Sequence, residues 1–220
     1  MALSESDLVS KIEKLLQKKY NTQLTFREVS AGYGIADLVI APTITEDGTP
    51  MTRLPITHFG ILQFYLNLGR GSYTFDKITE LSPFIHPRNL RRYINFLVEN
   101  EYLIKTEERY KKSRILENQQ PIKKIIAIEA KLSDYKSGLV QAKRYQYFAD
   151  QSYLAILRKA AKYIDASSIR QSGIGLILFD ELTGTIQIKP GASVSIQQKI
   201  YKVFARETIL SRMNTYASAF

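Results

Sequence analysis

Four short apolar runs, at 35–41, 124–131, 152–157 and 175–179, punctuate the chain, and helix-like stretches at 134–149 and 158–166 separate the last three. Runs of this length, bounded by turn residues, read as strands, and strands that alternate with helices demand an α/β fold. Upstream, Ser4 or Ser6 caps a helix running to about Lys19, with Leu8, Ile12, Leu15 and Leu16 at helical spacing on one face. Glu5 continues that face toward the helix start. Leu24 to Val29 reads as a strand that turns at Gly32-Tyr33-Gly34 into its hairpin partner at 35–41. A loop with Pro42, Gly48 and Pro50 follows. Near the end, Gly184 turns the chain into a strand at 185–188, and a last helix spans about 194–216.

Residues 54–118 behave as a unit apart. A helix from about Ile56 to Leu68 ends at Gly69. Thr74 caps a short helix that Ser82-Pro83 breaks, and Pro87 starts a third with Leu90, Ile94, Leu97 and Val98 on its buried face. Tyr102 to Lys105 and Arg114 to Leu116 read as two strands flanking a charged tip. Three helices and a hairpin are the element order of a winged helix. The expected organisation is a discontinuous core of residues 1–50 and 119–220 interrupted by residues 51–118.

Composition narrows the function. With 220 residues, 45% of them hydrophobic and 24% charged, the chain supports a real core and is not wholly disordered. It has no cysteine, which excludes disulfides and Cys-based zinc sites, and two histidines, His58 and His86, too few for a His-rich metal centre. No run nears the roughly 18 apolar residues of a membrane helix, and the first residues lack a signal-peptide layout. A cytoplasmic protein that does not engage a membrane is the expectation. The net charge of +10 points to an anionic partner, nucleic acid above all. Acidic groups nonetheless outnumber basic ones in the first fifty residues, as a metal site facing a polyanion requires; for Asp7 and Glu13 a solvated helix face is the preferred account.

Three charges stand out. Asp37 is the single charge in the run at 35–41, and Glu129 and Lys131 lie two apart on an otherwise apolar strand. Side chains two apart on a strand point to the same side, and burying an unpaired charge is costly. A simple Glu129–Lys131 ion pair at a strand end is the alternative explanation.

The ordered set of Gly34-Ile35-Ala36-Asp37-Leu38-Val39, Ile128-Glu129-Ala130-Lys131-Leu132 and Gln141-Ala142-Lys143-Arg144-Tyr145 resembles the PD-(D/E)xK, or restriction-endonuclease-like, nuclease superfamily. Phe148 to Ala155 is also of a type seen there, and Glu5-Ser6-Asp7-Leu8-Val9 looks like the first helix of its Holliday-junction-resolvase-like branch. Ala36 replaces the usual proline, and the insertion is larger than the usual connection. The resemblance implies a mixed central sheet flanked by helices and a metal-dependent endonuclease. Asp37, Glu129 and the carbonyl of Ala130 would hold Mg²⁺, or Mn²⁺ in its place, through hard oxygen ligands. Lys131 would orient water or stabilise transition-state charge, Glu5 would add a ligand, and Gln141 would lie beside the site. Gln141 reads equally as a solvent-facing residue, and Glu13 and Glu28 are weaker accessory candidates.

For the insertion, Arg88, Asn89, Arg91 and Arg92 on the third helix, and Arg109, Lys111, Lys112 and Arg114 at the hairpin tip, are basic where a DNA-reading winged helix meets phosphate. Glu107 and Glu108 oppose that reading. Winged units also serve as protein-interaction modules. The expected partner is DNA, with a homodimer as the arrangement that would cut both strands. The rivals are a non-catalytic DNA-binding or regulatory protein on the same fold, and a structural protein that assembles through the winged unit.

Overall fold

The computed structural model describes residues 3–43, 53–118, 120–195 and 197–217. Most of the loop expected between Pro42 and Pro50, and both boundaries of the expected insertion, lie outside them.

The chain begins with α1 (Glu5–Tyr20), which starts where Ser4 and Asp7 exchange hydrogen bonds: Ser4 Oγ accepts from the Asp7 amide, and Asp7 accepts from the Ser4 amide. This reciprocal cap satisfies two amides the first helical turn leaves free, and it sets Glu5 at the first helical position. The hairpin β1 (Thr25–Ser30) and β2 (Ile35–Ile40) follows. The chain then leaves for α2 (Phe59–Asn67), β3 (Ser72–Thr74), α3 (Phe75–Leu81), α4 (Pro87–Glu99), β4 (Leu103–Thr106), β5 (Arg109–Lys112) and the single turn α5 (Ile115–Asn118). It returns through β6 (Ile126–Lys131), α6 (Tyr135–Tyr145) and β7 (Gln151–Leu157) to a 3₁₀ segment (Arg158–Tyr163), α7 (Ala166–Ser172), β8 (Gly175–Asp180), β9 (Thr185–Ile188) and α8 (Lys199–Ala217).

The α/β expectation is met by a six-stranded mixed sheet in the order β1-β2-β6-β7-β8-β9, flanked by helices. The strands β6, β7 and β8 run parallel, and antiparallel pairs close both edges. One apolar cluster joins Leu8, Ile12 and Leu16 of α1 to Leu38, Ile40, Ile126 and Ile128. A second joins Ala205, Ile209 and Leu210 of α8 and Tyr145 and Phe148 to Phe26, Val39, Ile125 and Ala127. Adjacent residues of β6 therefore feed opposite clusters, as strand pleating requires.

The alternation slips once. Phe26 and Val29 face the same cluster although three apart, and so do Ala36 and Val39 on the partner strand. The register runs from Phe26–Val39 and Arg27–Leu38 to Val29–Ala36, with Glu28 and Asp37 between. Glu28 has φ of 50°, a left-handed conformation that costs a non-glycine residue about 1–2 kcal/mol. Arg212 of α8 donates to the Arg27 and Glu28 carbonyls at 2.6 and 2.8 Å, which holds this irregular backbone in place.

Residues 53–118 build a third cluster around Ile56, Leu62, Ile78, Leu90, Ile94 and Leu97, with Phe204 of α8 packed against it. Here the structure corrects several expectations. The second strand of the hairpin is Arg109–Lys112, and residues 115–118 form a helical turn instead of a strand. The tip is therefore Glu107-Glu108, and the basic residues lie along the strand. The unexpected β3 pairs with β5, giving a three-stranded sheet β3-β5-β4. The expected helix at 158–166 is a 3₁₀ segment followed by α7, capped by Asp165. His58 and His86 both act as N-caps, their Nδ1 atoms accepting from the Ile61 and Arg88 amides.

A buried ion pair ties this unit to the main sheet. Glu207 of α8 is fully buried; it accepts from both terminal nitrogens of Arg53 at 2.6 Å, from the Ile56 amide at 2.9 Å and from the Tyr102 hydroxyl at 3.1 Å. Burial disfavours the guanidinium charge, but Glu207 outweighs it and holds the Arg53 pKa above its ordinary value. Removing one partner of such a pair strands a charge in the interior, which costs about 3–5 kcal/mol. Glu207→Ala is thus expected to lower the urea-unfolding free energy by about 3–5 kcal/mol, and Arg53→Met combined with Glu207→Leu to recover most of it. Chemical denaturation followed by circular dichroism checks both.

Candidate active site

The β2–β6 ladder ends at Leu38–Ile128, and one step beyond it stand Asp37 and Glu129. The Asp37 side chain reaches across the gap: its Oδ2 accepts from the Ala130 amide at 2.8 Å. A strand residue sends its N–H and C=O to the same edge, so the Ala130 carbonyl also projects toward β2. Glu129 and Lys131 extend the row Ile125, Ala127 on the face of the second cluster, and Lys131 Nζ lies 2.7 Å from Glu129 Oε1. Glu5 arrives from the start of α1, where its carboxylate accepts from the Leu132 amide at 3.2 Å and lies 3.7 Å from Lys131 Nζ. Glu5, Asp37, Glu129 and Lys131, from three segments distant in the chain, thus meet at one end of the sheet.

A fifth residue completes the group. The Tyr145 hydroxyl of α6 lies within hydrogen-bond reach of two acceptors, Glu129 Oε2 and the Ile35 carbonyl, the latter at 2.6 Å, and its one proton is shared between them. Tyr145 therefore pins Glu129 and the start of β2 together. Gly34 makes room for it: a Cβ there would lie 3.3 Å from the Tyr145 ring, and φ of 116° is open chiefly to glycine. Gly138 plays a similar part for α6, since a Cβ there would stand 2.7 Å from Lys131 Cγ.

Gln141 sits one helical turn before Tyr145, but its side-chain oxygen faces Ser137 Oγ at 3.5 Å, and no hydrogen bond joins it to the carboxylates among the described residues. Glu13 is engaged elsewhere, accepting from Thr25 Oγ1 at 2.6 Å and pairing with Arg27 at 2.5 Å. Glu28 contributes its backbone bend. In the sequence nothing sets the Tyr145 hydroxyl apart from that of a core tyrosine; its place four residues after Gln141 on α6 is the available signal.

Electrostatics follow from burial. Glu129 is fully buried, and burial, reinforced by Asp37, raises its pKa despite the bonds from Lys131 and Tyr145. Burial likewise raises the Asp37 pKa against the Ala130 bond and the Lys131 charge. For Lys131, burial opposes the ammonium, but Glu129, Glu5 and Asp37 together hold its pKa above the ordinary lysine value. The Tyr145 hydroxyl is pushed up by burial and by Glu129, so it stays a donor.

The donor set suits a hard divalent cation. Glu129 Oε1 is buried without a well-aligned hydrogen bond, faced only by the Lys131 ammonium. Two carboxylates under mutual repulsion and a carbonyl on the same edge are oxygen ligands of the type Mg²⁺ takes. Among the described residues no three acidic or histidine side chains form a ready-made metal cage; Asp37, Glu129 and the Ala130 carbonyl are the oxygen donors that this end of the sheet offers.

On the inserted unit, Arg88, Asn89, Arg91 and Arg92 of α4 are all exposed, and the Arg91 guanidinium lies 4.2 Å from the centre of the Phe75 ring. Lys111 and Arg114 are exposed. Lys112 turns inward instead, with its Nζ 4.5 Å from the centre of the Tyr65 ring and 3.4 Å from the Leu66 carbonyl. Arg109 is bound to the Ser72 carbonyl at 2.7 Å.

Comparison with protein-family models, curated proteins and solved structures returns no match to the chain. No helix among the described residues is long and apolar enough to cross a membrane.

A carboxylate whose pKa is higher in the folded than in the unfolded chain stabilises the fold below its unfolded pKa, and that contribution is lost as pH rises through the folded value. Asp37 and Glu129 are such groups, so both weaken the metal-free protein as they ionise. Asp37→Asn keeps an acceptor for the Ala130 amide and removes one charge. In chelator at about pH 7 it is expected to raise the melting temperature by about 2–4 °C, about 1 kcal/mol for a chain of this size. The gain should shrink as pH falls through the raised folded pKa of Asp37 and be gone once pH lies below the ordinary aspartate value, where the carboxyl is protonated in both states. Thermal melts across this range check the sign.

Proposed function

We propose that the chain is a metal-dependent DNA endonuclease, a restriction-endonuclease-like core carrying a winged-helix insertion. The observation that carries this reading is the meeting of Asp37, Glu129, Lys131 and Glu5, from three separate segments, at one end of the sheet. An ion pair made only for stability gains nothing from a second and third carboxylate, since each adds repulsion and desolvation cost.

Phosphodiester hydrolysis needs an attacking water and positive charge against the developing phosphorane. Mg²⁺, or Mn²⁺, held by Asp37, Glu129 and the Ala130 carbonyl would supply charge to a phosphate oxygen and acidify water. Tyr145 keeps Glu129 aimed outward from β6, and Glu5 keeps the Lys131 ammonium charged and in place. Lys131 then presents a proton donor to the phosphate or to the attacking water. These are fixed dipoles and charges, organised before substrate arrives, which is the condition under which they lower a barrier most.

The insertion supports DNA as the substrate. The winged-helix reading rests on α2, α3 and α4 followed by the hairpin β4–β5, with β3 paired to β5, and it takes α4 as the recognition helix. The exposed Arg88, Arg91 and Arg92 would meet phosphate, and Asn89 near the helix start would reach base edges. Lys111 and Arg114 would extend the contact; the inward Lys112 would not. The reading carries with it a cytoplasmic setting and two copies acting together where both strands are cut.

Plasmid DNA incubated with Mg²⁺ or Mn²⁺ is expected to be nicked, with cleavage abolished by a chelator and reduced at least about 100-fold in Asp37→Ala and Lys131→Ala, a loss typical of removing one transition-state donor. Salt-sensitive binding without cutting would instead identify a non-catalytic DNA-binding protein. Arg88→Ala and Arg92→Ala are each expected to reduce the slope of log affinity against log salt by about 0.9 on duplex DNA. Fluorescence anisotropy over a salt series reads that slope.

A further inference from the structure

The turn that carries Asp37 into place also builds a second surface. Tyr33 sits four residues before Asp37 and is 40% exposed. Its ring centre lies 4.4 Å from that of Tyr147, two residues beyond Tyr145, and 5.3 Å from that of Tyr201 on α8. Together with Lys143, Arg144 and Gln146, Tyr33 and Tyr147 line a cleft of about 530 Å³. Lys143 and Arg144 are exposed, and neither forms an ion pair with another described residue. The Tyr145 hydroxyl bound to the Ile35 carbonyl lashes this surface to the group around Glu129.

Two aromatic rings beside two free cations are the elements of single-strand recognition. A ring can stack only on a base whose face is open, and in a duplex both faces are covered by neighbouring bases. The cations then take the adjoining phosphates. Val140, also at the cleft and 52% exposed, adds apolar contact.

We propose that this cleft holds an unpaired segment of DNA, its base against Tyr33 and Tyr147 and its phosphates on Lys143 and Arg144. This rests on the nuclease reading, and it selects single-stranded or locally unpaired DNA as the substrate that reaches Asp37 and Glu129. The surface belongs to the core, so it acts independently of the basic residues on α4.

The test uses the full chain in chelator, where binding is read without cleavage. A fluorescein-labelled oligothymidylate and a hairpin duplex are titrated, and anisotropy is followed. Tyrosine emission supplies a second signal, because the chain has no tryptophan. The Tyr33→Ala, Tyr147→Ala double variant is expected to lose about tenfold or more in oligothymidylate affinity, given about 1–3 kcal/mol per stacked base. Its duplex affinity should stay within about twofold. Phenylalanine at both positions should restore binding. Lys143→Ala with Arg144→Ala, both on the surface, should lower the single-strand salt slope by about 1.4. That pair decides the matter if the tyrosine variant fails to fold. Wild-type protein that does not bind oligothymidylate, or losses equal on both substrates, would overturn the proposal. Absence of metal-dependent cleavage with the binding pattern intact would overturn the nuclease reading alone.

Discussion

A carboxylate at the centre of a sheet, with no access to water, must be paired, protonated or bound to a cation. Glu129 is in that position, and much of the molecule around it is arranged in answer. Lys131 supplies charge from the same strand, Tyr145 supplies a proton from α6, and Glu5 steadies Lys131 from the start of α1. Each of these depends on packing elsewhere: α6 must approach closely enough for Gly138 to sit on Lys131, and α1 must begin where Ser4 caps it. Even so, three carboxylates stand near one ammonium, and that imbalance is a stability cost for the folded protein.

Backbone irregularity serves the same end. Had β1 and β2 alternated regularly throughout, Asp37 would have continued the row of Val39 into the apolar cluster. The left-handed bend at Glu28 marks the phase shift at this point, and the Ala130 amide donates to the Asp37 carboxylate instead of to a backbone carbonyl of β2. Arg212 donates to the Arg27 and Glu28 carbonyls at the bend. Because Arg212 and Glu207 lie on one helix, α8 braces both the hairpin under the site and, through Arg53, the inserted unit. Strain beside a site is sustained only when surrounding contacts over-determine it.

The inserted unit shows how charge counting differs from charge placement. Its basic residues are dense in sequence, but strand alternation on β5 sends Lys112 inward over Tyr65 and Lys111 outward. Arg109 is spent on β3, a strand too short and too polar to be recognised before its pairing is seen. Three of the residues that remain exposed, Arg88, Arg91 and Arg92, share α4, while the hairpin tip carries Glu107 and Glu108.

Periodicity alone was enough to identify the α/β layout, the hairpin at Gly32-Gly34 and the odd charges at 37, 129 and 131, because each is a local pattern in which burial and charge conflict within a few residues. The start of α1 was legible as a cap at Ser4 or Ser6, between which the structure selects Ser4. The bend at Glu28, the hydroxyl of Tyr145 aimed at Glu129, the detachment of Gln141 from the carboxylates and the Arg53–Glu207 pair were not. Each is a contact between segments far apart in the chain, and a tyrosine or glutamate at helical spacing reads as core or surface until its partner is known. Local sequence chooses which groups are costly to bury; only the tertiary packing decides which partners arrive to relieve them.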